Sequence, residues 1–229
     1  MSYAPCQIKT HLSGCLVSIE VEADYPFRET VQITLECSAP LAFPLRLHIP
    51  SWTQGATIQI GNQREIIEES GWYCLQREWS GTEKLLLHFP MRLQVQTRYH
   101  KSIALERGPL VYALRIDEEW KQVRGELPHA DWEVYPKGPW NYALEIDPMH
   151  PEHHCRLALH EVGTCPFSPE GAPISLHLRG KQVPIWRLEQ HAAGQLPESP
   201  VHSDQLWEDL TLIPYGCTNL RVTEFPLLG

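Results

Sequence analysis

From Ile103 to Ile116 the chain reads IALERGPLVYALRI. After Pro109 its side chains alternate, with Leu110, Tyr112, Leu114 and Ile116 on one side and Val111 and Ala113 on the other. A period of two among β-branched, aromatic and leucyl side chains specifies a strand buried on at least one face. The Gly108-Pro109 pair in front of it marks a turn or bulge, because Gly tolerates unusual backbone angles and Pro donates nothing to a ladder. The same alternation recurs on both sides of this central segment. It therefore reads as the hinge between two packed β units.

Before it, strands are expected at Cys6–Leu12, Leu16–Val21, Val31–Glu36, Phe43–Ile49, Ala56–Ile60, Trp72–Arg77, Lys84–Phe89 and Leu93–Thr97. Ser13-Gly14, Pro50, Gly61-Asn62, Ser70-Gly71, Ser80-Gly81 and Pro90 separate them. Short strands at this spacing build antiparallel sandwiches, and no stretch of helical period competes. After Asp117 the texture changes. Glu118–Pro128 is polar and predicts a short helix or an exposed loop. Further strands follow at Trp132–Tyr135, Tyr142–Ile146, Leu157–His160, Ile174–Leu178, Val183–Trp186, Leu210–Ile213 and Leu220–Phe225, with long Pro-rich connections. The expected fold is all-β: two tandem antiparallel β-sandwich domains, jelly-roll-like, covering residues 1–105 and 106–229.

Composition narrows the functional classes. At 42% hydrophobic and 21% charged residues, the chain can bury a core. A formal net charge of −9 without any Lys/Arg-rich run argues against nucleic acid as a partner. No apolar run approaches the roughly 20 residues that span a bilayer as a helix. The N-terminal MSYAPCQIKTHLSG lacks the charged-then-apolar order of a secretory signal. Seven cysteines, an odd number without CxxC pairs, do not make a disulfide framework, so a reducing, cytoplasmic setting is expected.

Six blocks then read together. LRLHIPSW (Leu45–Trp52), GWYCLQREW (Gly71–Trp79), LHFPMRLQV (Leu87–Val95), ALERGPLVYAL (Ala104–Leu114), WEVYPKGPWNYAL (Trp132–Leu144) and LIPYGCTNLRVTEFP (Leu212–Pro226) occur in this order. They resemble the C-terminal region of the β-L-arabinofuranosidase-like proteins, glycoside hydrolase family 127 and its relatives, from about Tyr3 to Pro226. The resemblance implies β-sandwiches that follow a catalytic α/α barrel. In that family the barrel supplies a cysteine nucleophile, a zinc held by three cysteines and a glutamate, and the acid/base and sugar-binding residues. This chain starts where that barrel would already have ended, and none of its catalytic motifs matches a position here. No catalytic residue, metal ligand or cofactor is therefore assigned.

Met149-His150-Pro151-Glu152-His153-His154-Cys155, with His160 beyond, holds good zinc donors, yet no second ligand pair accompanies it. Cys15, Cys37 and Cys74 lie in or beside strands, where thiols pack as small hydrophobes, and Cys217 lies in a turn. Glycosidases work with paired carboxylates, but Glu68-Glu69, Glu118-Glu119 and Asp131/Glu133 sit in polar segments suited to solvated charge. The aromatics stand out. Trp132, Tyr135, Trp140 and Tyr142 cluster within eleven residues, and such rings stack on sugar faces or pack at interfaces.

The expected function is thus a non-catalytic accessory region of a glycoside hydrolase, with no hydrolase activity alone. It would stabilise, dock or oligomerise a catalytic barrel, so the expected partners are that barrel or a second copy. The alternatives are an independent module binding plant-derived oligosaccharide through Trp132, Tyr135, Trp140 and Tyr142, or a subunit of a split glycosidase.

Overall fold

Alternation becomes strand almost wherever the sequence sustains it. The computed structural model describes residues 3–229, and among them there is no α-helix, only strands and three short 3-10 turns. The chain divides into two compact units between Arg92 and Leu93.

The first unit holds β1 (Cys6–Leu12), β2 (Cys15–Ala23), β3 (Thr30–Ile49), β4 (Ala56–Ile60), β5 (Gln63–Ile67) and β6 (Gly71–His88). They form one antiparallel sheet in the order β1-β2-β3-β6-β4-β5. The sequence divides β3 and β6 into two strands each, but the structure joins them. The breakers bend the hairpin instead of ending it. The register shifts between Cys37 and Leu41, and Gly81, opposite Cys37, adopts a φ of 59°. Such a bulge kinks a strand without stopping its pairing.

That bend makes the sandwich. Ile49 pairs with Gly71 at one end of β6, whereas Thr57 of β4 pairs with His88 at the other. A straight β6 would separate those ends by roughly 55 Å at about 3.3 Å per residue. The link from Ile49 to Thr57 reaches only about half as far when fully extended. The hairpin must fold over, and its halves become facing layers. Leu47, Ile49 and Trp79 from one half accordingly share a core with Val31, Leu35, Leu85 and Leu87 from the other. Trp79 is fully buried, and its indole N–H donates to the Phe43 carbonyl oxygen at 3.0 Å.

The second unit contains β7 (Leu93–Thr97), β8 (Ile103–Arg107), β9 (Leu110–Leu114), β10 (Glu118–Arg124), β11 (Asp131–Pro136), β12 (Tyr142–Leu144), β13 (Arg156–Leu159), β14 (Ile174–Gln182), β15 (Leu188–Glu189), β16 (Ala192–Ala193) and β17 (Trp207–Pro214). Its main sheet runs β12-β14-β17-β9-β8-β7, with β13 also on β14. Leu114, Leu212 and Leu176 lie side by side across three strands of this sheet and are all buried. The C-terminal tail ties distant parts of the sheet together. Phe225 exchanges two backbone hydrogen bonds with Ile103 of β8, and Leu144 of β12 donates to Pro226 and accepts from Leu228. For one short tail to reach both strands, the sheet must curl around its core.

Gly108 and Pro109 form the two-residue connection between β8 and β9, Gly108 taking the positive φ (57°) that such hairpin turns demand. The expected boundary near residue 105 and the observed division differ for a simple reason. β7 pairs with β8 and so travels with the second unit, which places Ile103–Ile116 inside that unit rather than between two. Three local expectations also change. Glu118–Arg124 is a strand, because it finds β11 as a partner. Residues 183–186 close a turn through the Trp186 amide on the Val183 carbonyl. Residues 220–225 form no strand: Phe225 bridges Ile103, and the Val222 carbonyl accepts from the Leu114 amide.

Candidate functional site

β10 and β11 pair only with each other and form a two-stranded ribbon. Strand geometry sorts its side chains, since successive residues point to opposite faces. Trp120 lies opposite Val134 and Gln122 opposite Trp132, so Trp120 and Trp132 are diagonal neighbours on one face. Their rings meet edge to face, centroids 6.3 Å apart at 72°. They remain 49% and 43% exposed. The Trp120 indole N–H donates to Glu118 at 3.0 Å, and Glu118 in turn accepts from the Asn219 side chain at 3.0 Å. The aromatic face is thereby anchored to the body of the unit.

Tyr135, three residues beyond Trp132, falls on the other face. Lys121 stands over its ring at 4.8 Å, and its hydroxyl donates to Glu133. That carboxylate holds the hydroxyl pKa above its ordinary value. Tyr135 also lines a cavity of about 490 Å³ at the base of the ribbon. The other walls include Trp140, His191 and Ala192 of the β15–β16 hairpin, and Arg221. Trp140 is 8% exposed, set edge to face against Trp186 at 5.0 Å. Next to it, buried Asn141 donates to the Val183 and Trp186 carbonyls at 2.9 and 2.7 Å, which fixes this wall.

Tyr142 lies elsewhere. It is 4% exposed, and its hydroxyl donates to Glu208 at 2.8 Å. A ring so enclosed offers no face to a sugar. The four aromatics of the sequence cluster therefore divide into a platform residue (Trp132), two cavity residues (Tyr135 and Trp140) and a core residue (Tyr142). Sequence reading missed Trp120, because the segment that carries it has no clean alternation. A strand reading of Glu118–Arg124 paired to β11 would have found it.

The remaining candidates find local partners. His150 pairs with Asp147 at 3.0 Å and stacks on His153, ring centroids 5.6 Å apart. Among the described residues no three His, Cys, Asp or Glu side chains converge in a way that could hold a metal. Burial pushes the Cys155 and Cys217 thiols up to about 12 and 11, away from thiolate chemistry. All seven cysteines are free. Glu118 and Glu133 serve as the acceptors described above, and Glu119 pairs with Lys121 at 3.4 Å.

A second polar cavity, of about 690 Å³, lies beside β14 and β17. Ser175 Oγ stands 3.1 Å from His160 Nε2 and 3.0 Å from His177 Nε2, while Thr211 Oγ1 is 3.3 Å from His177 Nδ1. Ser175 has one hydroxyl proton, so at least one of the two rings presents Nε2–H to it. Desolvation, helped by Arg156 and His160, holds His177 below the ordinary histidine value.

Residues 1–91 match the family model of the β-L-arabinofuranosidase GH127 middle domain. No curated protein sequence matches the chain. Solved structures match over nearly its whole length. A GH127 β-L-arabinofuranosidase from Geobacillus stearothermophilus T6 is 23% identical with a TM-score of 0.62, covering 98% of this chain and 33% of its own. A glycoside hydrolase is 20% identical (TM-score 0.57), covering 97% of this chain and 34% of its own. A GH127 β-arabinofuranosidase is 17% identical (TM-score 0.59), covering 96% of this chain and 33% of its own. The chain thus spans about a third of the length of the solved chains it matches. Residues 1–91 are thus similar in sequence to the GH127 middle domain, and almost the whole chain is similar in fold to about a third of these solved enzymes.

Proposed function

We propose that this chain is a non-catalytic accessory region of a glycoside hydrolase, which stabilises, docks or oligomerises a catalytic α/α barrel. The observation that carries this reading is coverage: almost the whole chain aligns, yet on only a third of a GH127 enzyme. The geometry agrees with it. The carboxylates Glu118 and Glu133 serve as hydrogen-bond acceptors, and burial holds the Cys155 and Cys217 thiols protonated. Large apolar side chains on both units, among them Trp72 and Leu206, stand exposed and suit a packing partner. Seven free thiols favour a reducing compartment, and we place the protein in the cytoplasm. The test is its mass in solution, alone and with a GH127 barrel expressed separately. Complex formation or self-association supports the reading. A 26.3 kDa monomer indifferent to the barrel would overturn it.

The exposed Trp120–Trp132 pair favours a second reading, an independent module for plant-derived oligosaccharide. Flat apolar rings with polar edges match the apolar faces of sugars. Binding of arabino-oligosaccharides that is lost in Trp132→Ala and Trp120→Ala, with folding intact, would select this reading.

A further inference from the structure

We propose that the cavity at the base of the β10–β11 ribbon binds a sugar acid, its carboxylate on Arg221 and its ring against Tyr135. This inference goes beyond the proposed function: the cavity is lined by Tyr135, which lies on the ribbon face opposite Trp120 and Trp132. The charge comes first. Arg221 lies with its guanidinium 4.4 Å from the Tyr215 ring centroid. It donates through Nε to the Thr218 carbonyl at 3.1 Å and through Nη1 to the Tyr215 hydroxyl at 3.3 Å. These contacts fix the planar group without neutralising it, and no carboxylate pairs with it among the described residues. A guanidinium has five N–H donors, so several remain for a ligand in the fork geometry that matches a carboxylate.

The rest of the cavity restricts what carries that carboxylate. Its walls are mainly apolar and include two aromatics, and its volume of about 490 Å³ lies within the range of small-ligand sites. Glu133 and His191 add hydrogen-bonding groups. A plain aromatic acid has no use for these, whereas sugar hydroxyls do. The negative charge of Glu133 also orients the ligand, directing its carboxylate to Arg221. The turn that supplies His191 is held under strain. Gln190 and His191, between paired Glu189 and Ala192, both adopt positive φ, 50° and 65°. Such a turn ordinarily uses Asn-Gly. Here a bulky imidazole occupies the left-handed position and lines the cavity.

Isothermal titration of the full chain with galacturonate and, in parallel, with galactose tests the proposal. Galacturonate should bind, galactose about tenfold or more weakly, and added salt should weaken galacturonate alone. Arg221→Gln should remove the preference. Arg221→Lys, which keeps the charge but not the fork, should retain only part of it. Circular dichroism confirms folding, and the salt dependence of the unmodified chain tests the same point without any variant. Equal affinity for both sugars would overturn the assignment to Arg221 while leaving sugar binding standing. Binding of neither would overturn the cavity as a sugar-acid site, whereas the Trp120–Trp132 reading stands or falls on arabino-oligosaccharide binding.

Discussion

The Tyr3 hydroxyl donates to the His48 carbonyl oxygen at 2.7 Å while the Tyr3 ring lies 5.2 Å from that of Phe89. His48 lies near the end of β3 and Phe89 follows the far end of β6, so Tyr3 clasps the folded hairpin across its opening. Tyr3→Phe should cost about 1 kcal/mol, read from urea denaturation. Burial pushes the Tyr3 hydroxyl up to about 12 from an ordinary value of 10.0. Its contribution is complete below pH 10 and is lost as pH rises towards 12. The variant should therefore lose stability less steeply in that alkaline window.

Gly180 lies in β14 between Leu144 of β12 and Glu208 of β17. A Cβ there would stand 2.6 Å from the Ala143 carbonyl oxygen and 2.7 Å from Leu210 Cδ1. Backbone on one side and core on the other leave nothing to yield cheaply. Gly180→Ala should destabilise by about 1–3 kcal/mol in chemical denaturation. An unchanged midpoint would show that β12 can move aside.

Tyr112, in the stretch that organises the second unit, is fully buried, and its hydroxyl has no hydrogen-bond partner among the described residues. Removing an unsatisfied buried group relieves its desolvation penalty. Tyr112→Phe should thus be neutral to stabilising, by up to about 1–3 kcal/mol. A loss of stability would mean that the hydroxyl is satisfied in solution, by water.

His177 faces His160 and Arg156, both of which disfavour its charged form beyond the dominant effect of desolvation. Its folded pKa lies below the unfolded value of 6.5. The stability this provides is present above pH 6.5 and lost as pH falls through the folded value, because the unfolded chain then binds the extra proton. His177→Gln should flatten the acid limb of a stability–pH curve below the unfolded value of 6.5.

The all-β class was legible because strand alternation is local: Val31, Ile33 and Leu35 announce their own face. What decides the architecture is not local. Ser80-Gly81 reads as a turn, and only its pairing opposite Cys37 makes it a bend in one long strand. The unit boundary depended likewise on the pairing of β7 with β8. The candidate site was half legible. Trp132 and Tyr135 were visible as aromatics, but β-strand alternation sends them to opposite faces, and Trp120 emerges only from the ribbon register. Tyr142 and Trp132 look equivalent in sequence. Burial of Tyr142, at 4% exposure against 43% for Trp132, separates them.

The proposed accessory role requires that this chain carry no glycosidase chemistry of its own. Purified protein should be assayed on a panel of nitrophenyl glycosides that includes the β-L-arabinofuranoside, with and without zinc, and again with a separately expressed barrel. The account predicts no turnover by the chain alone on any substrate. Turnover that survives repurification would contradict it, and would send attention to the Glu118 and Glu133 carboxylates and the His160–Ser175–His177 chain.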